Sequence, residues 1–349
     1  MQICVLIGNG FDLALGLATD YQSFIDKYQA DNASSKDESV RWLCNKIKEK
    51  RETWGDAEIA FGEIEFEDIE TYSSIASHFS SSLLEYLKEQ NARFRISKSE
   101  QGKTRESLLA SIMSIDNWMM PGHKQYCKFS NEQNDIFIDF LTFNYTNTLE
   151  QLLEYSETAR CDAVIKDSEG NERKIIVKNI CHVHGTLAQG ALFGVDSQEQ
   201  IKSRAIRDYC SNTGGILKER SSEMAGLTNR IEGVGRISSA DVIITYGLSF
   251  GASDRSWWRR IWDGVVQNGK AQLIVCPFDT KGIPAVSSGP VLNEFFANQK
   301  RRVFRSIGEK DAAVVSLMPK QFISLMPCLV DGKAYDYFHL STIRGKDGM

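Results

Sequence analysis

The chain has 349 residues, of which 42% are hydrophobic and 25% charged, and these fractions are ordinary for a soluble globular protein. Its net charge of -5 disfavours a protein that coats nucleic-acid backbones, since such domains are strongly basic. No apolar run reaches the length of a membrane span. The 8 cysteines include no Cys-x-x-Cys pair, which suits a reducing cytoplasm. We therefore expect a cytoplasmic protein with neither a membrane nor a nucleic acid as its partner.

The chain opens with an apolar strand at residues 3–7 that runs into Gly8-Asn9-Gly10-Phe11-Asp12. A Gly-x-Gly turn between a strand and a helix is one way in which nucleotide-binding α/β folds present backbone N–H groups to phosphate. In this interpretation Gly10 lets the phosphate approach, and Asp12 hydrogen-bonds a ribose or a neighbouring loop. The alternative is a tight turn with Asp12 as a cap, because a single Gly-x-Gly motif is weakly specific.

Helical periodicity dominates from about residue 20 to residue 134. Thr19 and Gln22 have the spacing of a capping box at the start of a helix over residues 20–29. Further helices are predicted over residues 40–50, 66–91 and 107–119. A second, polar segment at residues 197–237 suits a lid, a partner-binding segment or surface decoration. We interpret both segments as helical insertions, and the first as one that covers the sheet and roofs a ligand cleft or forms a docking surface.

Apolar runs with the composition of β-strands recur at residues 3–7, 136–143, 175–183, 191–195, 242–246 and 273–276. Several are continuous in Ile, Val, Leu and Phe rather than alternating, as in strands covered on both faces. The fold class is therefore predicted to be α/β, with a Rossmann-like, mostly parallel central sheet flanked by helices. We predict a single domain over residues 1–349, with insertions at about 20–134 and 197–237.

Polar side chains follow several of these strands, at the sheet edge where open parallel α/β folds bind ligands. Thr142 and Asn144 end one run, and the Asn144 amide can hold a water or a ribose hydroxyl or cap the following helix. His184 precedes Gly185 and suits a general base or a ribose-orienting group, whereas His182 is interpreted as a core histidine. The two histidines could be metal ligands, but no nearby Asp, Glu or Cys completes a familiar zinc pattern with them.

Three further sequence features are less specific indicators of function. Asp196, Gly247 and Ser249 also follow predicted strands and are ligand candidates. The acidic pair in residues 54–58 either leans over the cleft or begins a solvated helix. The basic run at residues 300–305 is interpreted as a solvated rim beside a strand.

In chain order, these motifs resemble the AbiH family of bacterial phage abortive-infection proteins. The resemblance is carried by Gly8-Asn9-Gly10-Phe11-Asp12-Leu13, residues 54–58, Thr142-Phe143-Asn144-Tyr145-Thr146, His182-Val183-His184-Gly185, Phe193-Gly194-Val195-Asp196 and residues 247–254. A more distant similarity is to sirtuin-like NAD-binding domains, which have a Gly-rich first turn, a Thr-x-Asn-x-Asp segment, a His-Gly pair and a Gly-x-Ser loop in the same order. Thr146 stands where that pattern has Asp, and the zinc-ribbon cysteines are absent, so protein deacetylation is not expected.

The resemblance implies an abortive-infection effector that binds NAD as its substrate and hydrolyses the nicotinamide glycosidic bond without a metal. The implied catalytic residues are Asn144 and His184. The implied NAD-binding residues are Gly8, Asn9, Gly10, Phe11, Asp12, Thr142, Asp196, Gly247 and Ser249. Because NAD depletion harms the cell, we expect control through the insertions, by a phage-derived trigger or partner protein or by homo-oligomerisation.

Two other functions are compatible with the same residues. A nucleotide-binding sensor or scaffold would use the pocket without turnover. A metal-dependent nucleic-acid-targeting effector would gather Asp12, Glu58, Asp196 and Asp254 around a divalent cation, although the acidic net charge counts against it.

Overall fold

A seven-stranded sheet forms the centre of the molecule. The computed structural model describes residues 1–119, 135–155, 161–166, 170, 172–226, 229–268, 271–276, 289–307, 322–324, 329–330, 333–334 and 337–340. The strands within these residues are β1 (Gln2–Ile7), β2 (Ile136–Thr142), β3 (Cys161–Lys166), β4 (Glu172–His182), β5 (Gly185–Thr186), β6 (Gly190–Ala191), β7 (Val242–Tyr246), β8 (Gln272–Val275), β9 (Phe322–Ser324), β10 (Leu329–Val330) and β11 (Lys333–Ala334).

The central sheet has the order β3-β4-β2-β1-β7-β8-β9. Every neighbouring pair in it is parallel except β3 and β4, which are antiparallel. The prediction of a mostly parallel central sheet is therefore confirmed. β1 lies between β2 and β7, so strands are added to the sheet on both sides of β1. Where the strand order reverses in this way, a crevice opens at the carboxyl ends of the strands.

The composition of β1 follows from its position in the middle of the sheet. Ile3, Val5 and Ile7 pack into one apolar cluster, and Cys4 and Leu6 pack into another. Because successive side chains of a strand point to opposite faces, these two clusters lie on the two sides of the sheet. All five side chains are fully buried, which explains why the run is continuously apolar rather than alternating.

Helices flank the sheet, and they come after β1 in the chain. They are α1 (Gly10–Ala14), α2 (Tyr21–Asn32), α3 (Glu38–Glu49), α4 (Ala57–Gly62), α5 (Ile69–Arg93), α6 (Lys98–Met113), α7 (Thr148–Leu153), α8 (Arg204–Thr213), α9 (Lys218–Met224), α10 (Asn229–Ser239), α11 (Arg255–Asn268) and α12 (Gly289–Ile307). Short 3-10 turns occur at Arg51–Asp56, Ile115–Trp118, Gln198–Gln200 and Ala252–Asp254.

Helices α2 to α5, between β1 and β2, have an apolar core of their own. Aromatic side chains from α2, α4 and α5, including Phe24, Phe61 and Phe79, form its centre. Phe193 and Leu217, from the segment after β6, belong to the same cluster. The two segments predicted as insertions therefore pack against each other, although residues 120–134 of the first lie outside the described residues.

The prediction of a strand at residues 191–195 is wrong. Pairing ends at Ala191, in a two-residue strand that pairs antiparallel with β5. Gly194 has φ +152, and a Cβ atom there would lie 2.0 Å from the carbonyl oxygen of Ile216. The backbone thus leaves the strand conformation to pass close to residue 216, and Val195 forms only an isolated bridge with Leu217.

Two helix starts differ from the sequence prediction. Asp20, rather than Thr19, caps α2 by accepting a hydrogen bond from the Ser23 N–H, because the Thr19 hydroxyl donates to Asn9 instead. α6 begins at Lys98 rather than at residue 107. The basic run at residues 300–305 forms part of α12.

In the part of the chain that the structure describes, no helix combines the length and hydropathy needed to cross a membrane.

Candidate functional site

A cleft of about 510 Å³ lies at the carboxyl ends of the central strands. The turn after β1 forms part of its wall, together with the residues that follow β2, β4 and β7. Residues from the segment after β1 and from later helices also contribute to the lining. This volume is within the range of small-molecule and cofactor sites, and its position is the one at which open α/β sheets bind ligands.

The glycines of the first turn allow two loops to pass each other closely. A Cβ atom on Gly8 would lie 2.6 Å from the Gly247 carbonyl oxygen, and one on Gly10 would lie 2.5 Å from the Gly247 Cα. The N–H groups of Gly8 and Gly10 donate to the carbonyl oxygens of Tyr246 and Gly247, at 2.9 Å each. These two N–H groups are thus engaged within the chain, and close loop packing accounts for the glycines.

Asp12 is buried beside this turn and holds the loop that follows β2. Its carboxylate accepts hydrogen bonds of 2.6 Å from both the Thr146 and the Thr148 hydroxyl groups. Burial raises the pKa of Asp12 to about 6, although these hydroxyls favour the charged form. Asp12 therefore titrates close to physiological pH while it fixes a wall of the cleft.

Asn144 lies on this wall with its side chain 8% exposed. Its backbone N–H donates to the Thr142 hydroxyl, and its backbone carbonyl contacts His182 Nδ1 at 2.8 Å. The side-chain nitrogen is buried without a hydrogen bond of ordinary geometry among the described residues, although it is near enough to Asp12 to favour the carboxylate form. An amide donor held in this way is well placed for a ligand oxygen.

The two histidines at the end of β4 have different surroundings. His182 is held between the Asn144 carbonyl and Glu150. Burial lowers the pKa of His182, but its hydrogen bond with Glu150 and the charge of that carboxylate raise it above the ordinary value. The environment of His182 thus fits the predicted structural role.

His184 lines the cleft and contacts Asp254, with 2.8 Å between Nε2 and Oδ1. Burial lowers the pKa of His184, and the charge of Lys218 lowers it further, against the opposing effect of Asp254. Because the Asp254 carboxylate only accepts, Nε2 carries the hydrogen of the neutral ring. The remaining nitrogen, Nδ1, is then the basic one.

A buried ion-pair network surrounds His184. Lys218 Nζ lies 2.7 Å from Glu58 Oε2 and 2.9 Å from Asp254 Oδ1. Burial raises the pKa of Glu58 to about 7, whereas Lys218 opposes that shift. Burial also disfavours the charged form of Asp254, but Lys218 and His184 together hold the pKa of Asp254 well below its usual range.

Three of the candidate residues do not line this cleft. Phe11 is buried in the core, edge-on to Tyr246, and Thr142 is buried beneath Asn144. Asp196 lines a separate cavity of about 1060 Å³. Its carboxylate accepts hydrogen bonds from the backbone N–H and the hydroxyl of Ser256, at the start of α11. The cleft lining does include Gly8, Asn9, Gly10, Asp12, Asn144, His184, Gly247 and Ser249.

The four carboxylates considered as metal ligands have other partners. Asp12 binds threonine hydroxyls, Asp196 binds Ser256, and Lys218 occupies the space between Glu58 and Asp254. Across the described ranges, no group of three or more His, Cys, Asp or Glu residues is arranged to hold a metal ion. The donor set therefore does not favour the metal-dependent alternative.

Sequence reasoning missed several residues of the cleft. Lys218 is the most important of them, and Tyr21, Tyr145 and Arg302 also contribute to the lining. No sequence signal singled out Lys218, since Lys202 in the same polar segment likewise follows an apolar residue. The partners of Lys218, at positions 58 and 254, are too distant in sequence to be found by spacing.

A comparison with protein families identifies the chain. The model of the family described as bacteriophage abortive infection AbiH matches residues 4–275. The chain belongs to this family. No curated protein is significantly similar to it.

The matched region of this AbiH family member contains most of the cleft. It includes the turns after β1 and β7, Asn144, and the His184 network. Arg302, on α12, lies beyond it. Family membership thus supports a role in abortive infection, and the chemistry of the cleft has to be inferred from its own residues.

Proposed function

We propose that this protein is an anti-phage abortive-infection effector that binds NAD and hydrolyses its nicotinamide glycosidic bond when triggered. The observation that carries the proposal is that Asn144 and His184 line the same cleft as the turns after β1 and β7. A neutral buried histidine can act as a base, a buried amide can orient a ligand oxygen, and a cavity of about 510 Å³ is of the size of small-molecule and cofactor sites.

His184 acts as the general base of the reaction. Its Nε2–H donates to Asp254, so Nδ1 accepts a proton from the attacking water or from a ribose hydroxyl that orients it. As the bond between the anomeric carbon and the nicotinamide nitrogen breaks, its electron pair leaves with nicotinamide, and the water oxygen bonds to carbon. The products are nicotinamide, ADP-ribose and a proton.

Asn144 positions the reacting groups. Its buried side-chain nitrogen donates to the water or to a ribose hydroxyl near the anomeric carbon. Because Nδ2 carries two hydrogens, it can favour the Asp12 carboxylate with one and donate the other to a ligand oxygen. Gly8, Gly10, Gly247 and Ser249 form the adjoining wall of the cleft.

The excess of carboxylates in the lining favours a ligand whose reacting end is positively charged. In the described part of the chain, the cleft is lined by two cationic side chains, Lys218 and Arg302, and by five carboxylates. These are Asp12, Asp20, Asp56, Glu58 and Asp254. A positively charged nicotinamide ring and an oxocarbenium-like transition state are stabilised by such surroundings. The charge of Lys218 is already matched by Glu58 and Asp254 within the chain.

Control of the activity is assigned to the helical segments at residues 20–134 and 197–237. Side chains from both segments line the cleft, as Tyr21 and Lys218 do. A phage-derived partner or a second copy of the chain that moves these segments would change access to His184.

Product analysis tests this function. The purified protein is incubated with NAD, alone and with phage lysate or expressed phage proteins, and nicotinamide and ADP-ribose are measured by chromatography. Asn144→Ala and His184→Ala are each expected to reduce the triggered rate by about 10²- to 10⁴-fold. Asn212→Ala, an exposed change on α8, is the control and leaves the rate unchanged.

Two results would contradict the proposal. Hydrolysis that survives both the Asn144 and the His184 substitutions would exclude the assigned mechanism. NAD binding without turnover under every trigger, measured by calorimetry, would instead favour the nucleotide-binding sensor or scaffold.

A further inference from the structure

The buried lysine of the cleft has no role in the proposed chemistry. Lys218 is the first residue of α9 and only 2% exposed. Its ammonium group lies within 2.9 Å of carboxylate oxygens of both Glu58 and Asp254, and 3.4 Å from the Ser253 carbonyl oxygen. A charge buried this deeply is tolerated only with such partners, so these contacts determine where Lys218 and its partners lie.

Lys218 and His184 share one oxygen atom. Asp254 Oδ1 lies 2.8 Å from His184 Nε2 and 2.9 Å from Lys218 Nζ. The carboxylate that orients the proposed base is therefore itself held by the lysine. A change at Lys218 would alter both the position of Asp254 and the electrostatic field at His184.

The network also joins three separate parts of the chain. Glu58 belongs to α4, in the helical segment after β1, and Lys218 to α9, in the segment after β6. Asp254 lies in the 3-10 turn between β7 and α11. The other oxygen of Glu58 accepts a hydrogen bond from the Gly194 N–H at 3.2 Å, so both oxygens of the Glu58 carboxylate have partners in this network.

We propose that Lys218 is a positioning residue, which holds Asp254 against His184 and makes that arrangement depend on the docking of both helical segments. The inference rests on the proposed role of His184. A trigger that displaces α4 or α9 would separate Glu58 from Lys218 and leave a buried charge without its partner, which is strongly unfavourable. The displacement would thus be transmitted to His184 through Asp254.

The ionisable groups around His184 predict what removal of the lysine does. Asp254 and Asp196 raise the pKa of His184, and Lys218 lowers it. Glu58 and Asp56 interact with Lys218 or Asp254 from α4 and the turn before it. Without Lys218, Asp254 is no longer held against His184, so Asp254 has a smaller effect on the pKa of His184.

Proton NMR titration of the histidine ring tests the inference. The His184 signal is assigned by its loss in His184→Gln, and its midpoint is measured in the wild type and in Lys218→Met, both without NAD. The titration is repeated with Asp254→Asn in each background. We expect Asp254→Asn to lower the midpoint in the wild type and to lower it less in Lys218→Met, because the lysine no longer holds the carboxylate against His184. The matched control is Lys202→Met, which removes an exposed lysine that pairs with exposed Glu65, and it leaves the midpoint where it is.

A double variant keeps the test valid if Lys218→Met does not fold. Lys218→Met with Glu58→Gln removes one positive and one negative charge and so leaves no unpaired carboxylate at position 58. Asp254→Asn is again expected to lower the His184 midpoint less than it does in the wild type. An equal fall in the wild type and in the folded Lys218 variant would overturn the inference, as would a reduced fall in Lys202→Met.

The titration also separates this inference from the proposed function. It requires no NAD. An effect of Asp254→Asn that depends on Lys218, in a protein that never hydrolyses NAD, would support the positioning role and contradict the proposed activity. Hydrolysis that depends on His184, together with an effect of Asp254→Asn that does not depend on Lys218, would support the activity and contradict the positioning role.

Discussion

At the scale of single residues, burial determines much of the chemistry in the cleft. Asp12, Glu58, His184 and Asp254 are all enclosed by protein, but their pKa values move in different directions. Desolvation raises the pKa of Asp12 and Glu58, and it lowers the pKa of His184. Asp254 departs from this pattern because Lys218 and His184 stabilise its charge. Residues of one type thus have different pKa values within one site.

Asp12 leads to a pH-dependent prediction. The pKa of Asp12 is raised from 3.8 to about 6 in the folded protein, so its contribution to stability is complete below about pH 4 and is lost as the pH rises through 6. The linked loss is on the order of 3 kcal/mol. Asp12→Asn removes this titration. Urea unfolding at several pH values should therefore show the variant gaining stability relative to the wild type between pH 4 and pH 7, and a constant difference would contradict the prediction.

At the scale of elements, the turns after β1 and β7 form one packed unit. Gly247 has φ +67, and a Cβ atom there would lie 2.7 Å from the Gly10 Cα. Any side chain at this position would meet both an unfavourable backbone conformation and a rigid neighbouring backbone. The glycine motif that suggests a nucleotide site is thus also a requirement for bringing two strand ends together.

Gly247→Ala is expected to destabilise the protein by at least about 2 kcal/mol, because the backbone has to move to accommodate the methyl group. Gly235→Ala is the matched control. Gly235 lies within α10 with nothing within 4 Å of the added Cβ, so this change should stabilise the protein by about 0.5 to 1 kcal/mol. Urea unfolding measures both, and equal effects of the two substitutions would contradict the packing explanation.

At the scale of the whole molecule, two faces of the sheet and a helical cluster provide three apolar cores. The helical core draws side chains from segments more than a hundred residues apart in sequence, such as Phe79 and Phe193, whose ring centroids are 5.4 Å apart. The prediction of a single domain over residues 1–349 requires that this core and the sheet unfold together.

Phe79→Ala tests that prediction. Phe79 is fully buried, and its truncation should cost about 3 to 5 kcal/mol. If the chain is one cooperative domain, hydrogen exchange followed by mass spectrometry will show the same loss of protection in β1 as in α5. Loss confined to α5 and its neighbours would indicate that the helical core is a separate domain.

The sequence by itself determined the central sheet and the ends of its strands. Residues 3–7, 136–143, 175–183 and 242–246 were predictable as strands because burial on both faces requires continuous apolar residues. Since parallel strands place their carboxyl ends at one edge, the convergence of Asn144, His184 and the turn after β1 could also be predicted.

Only the tertiary structure decided which other side chains join them there. It separated Asp196 from the cleft and replaced the predicted strand at residues 191–195 with a turn imposed by Gly194 and Ile216. It also brought Lys218 between Glu58 and Asp254. Periodicity and spacing describe local structure, whereas an ion pair between residues 160 positions apart depends on how distant segments pack.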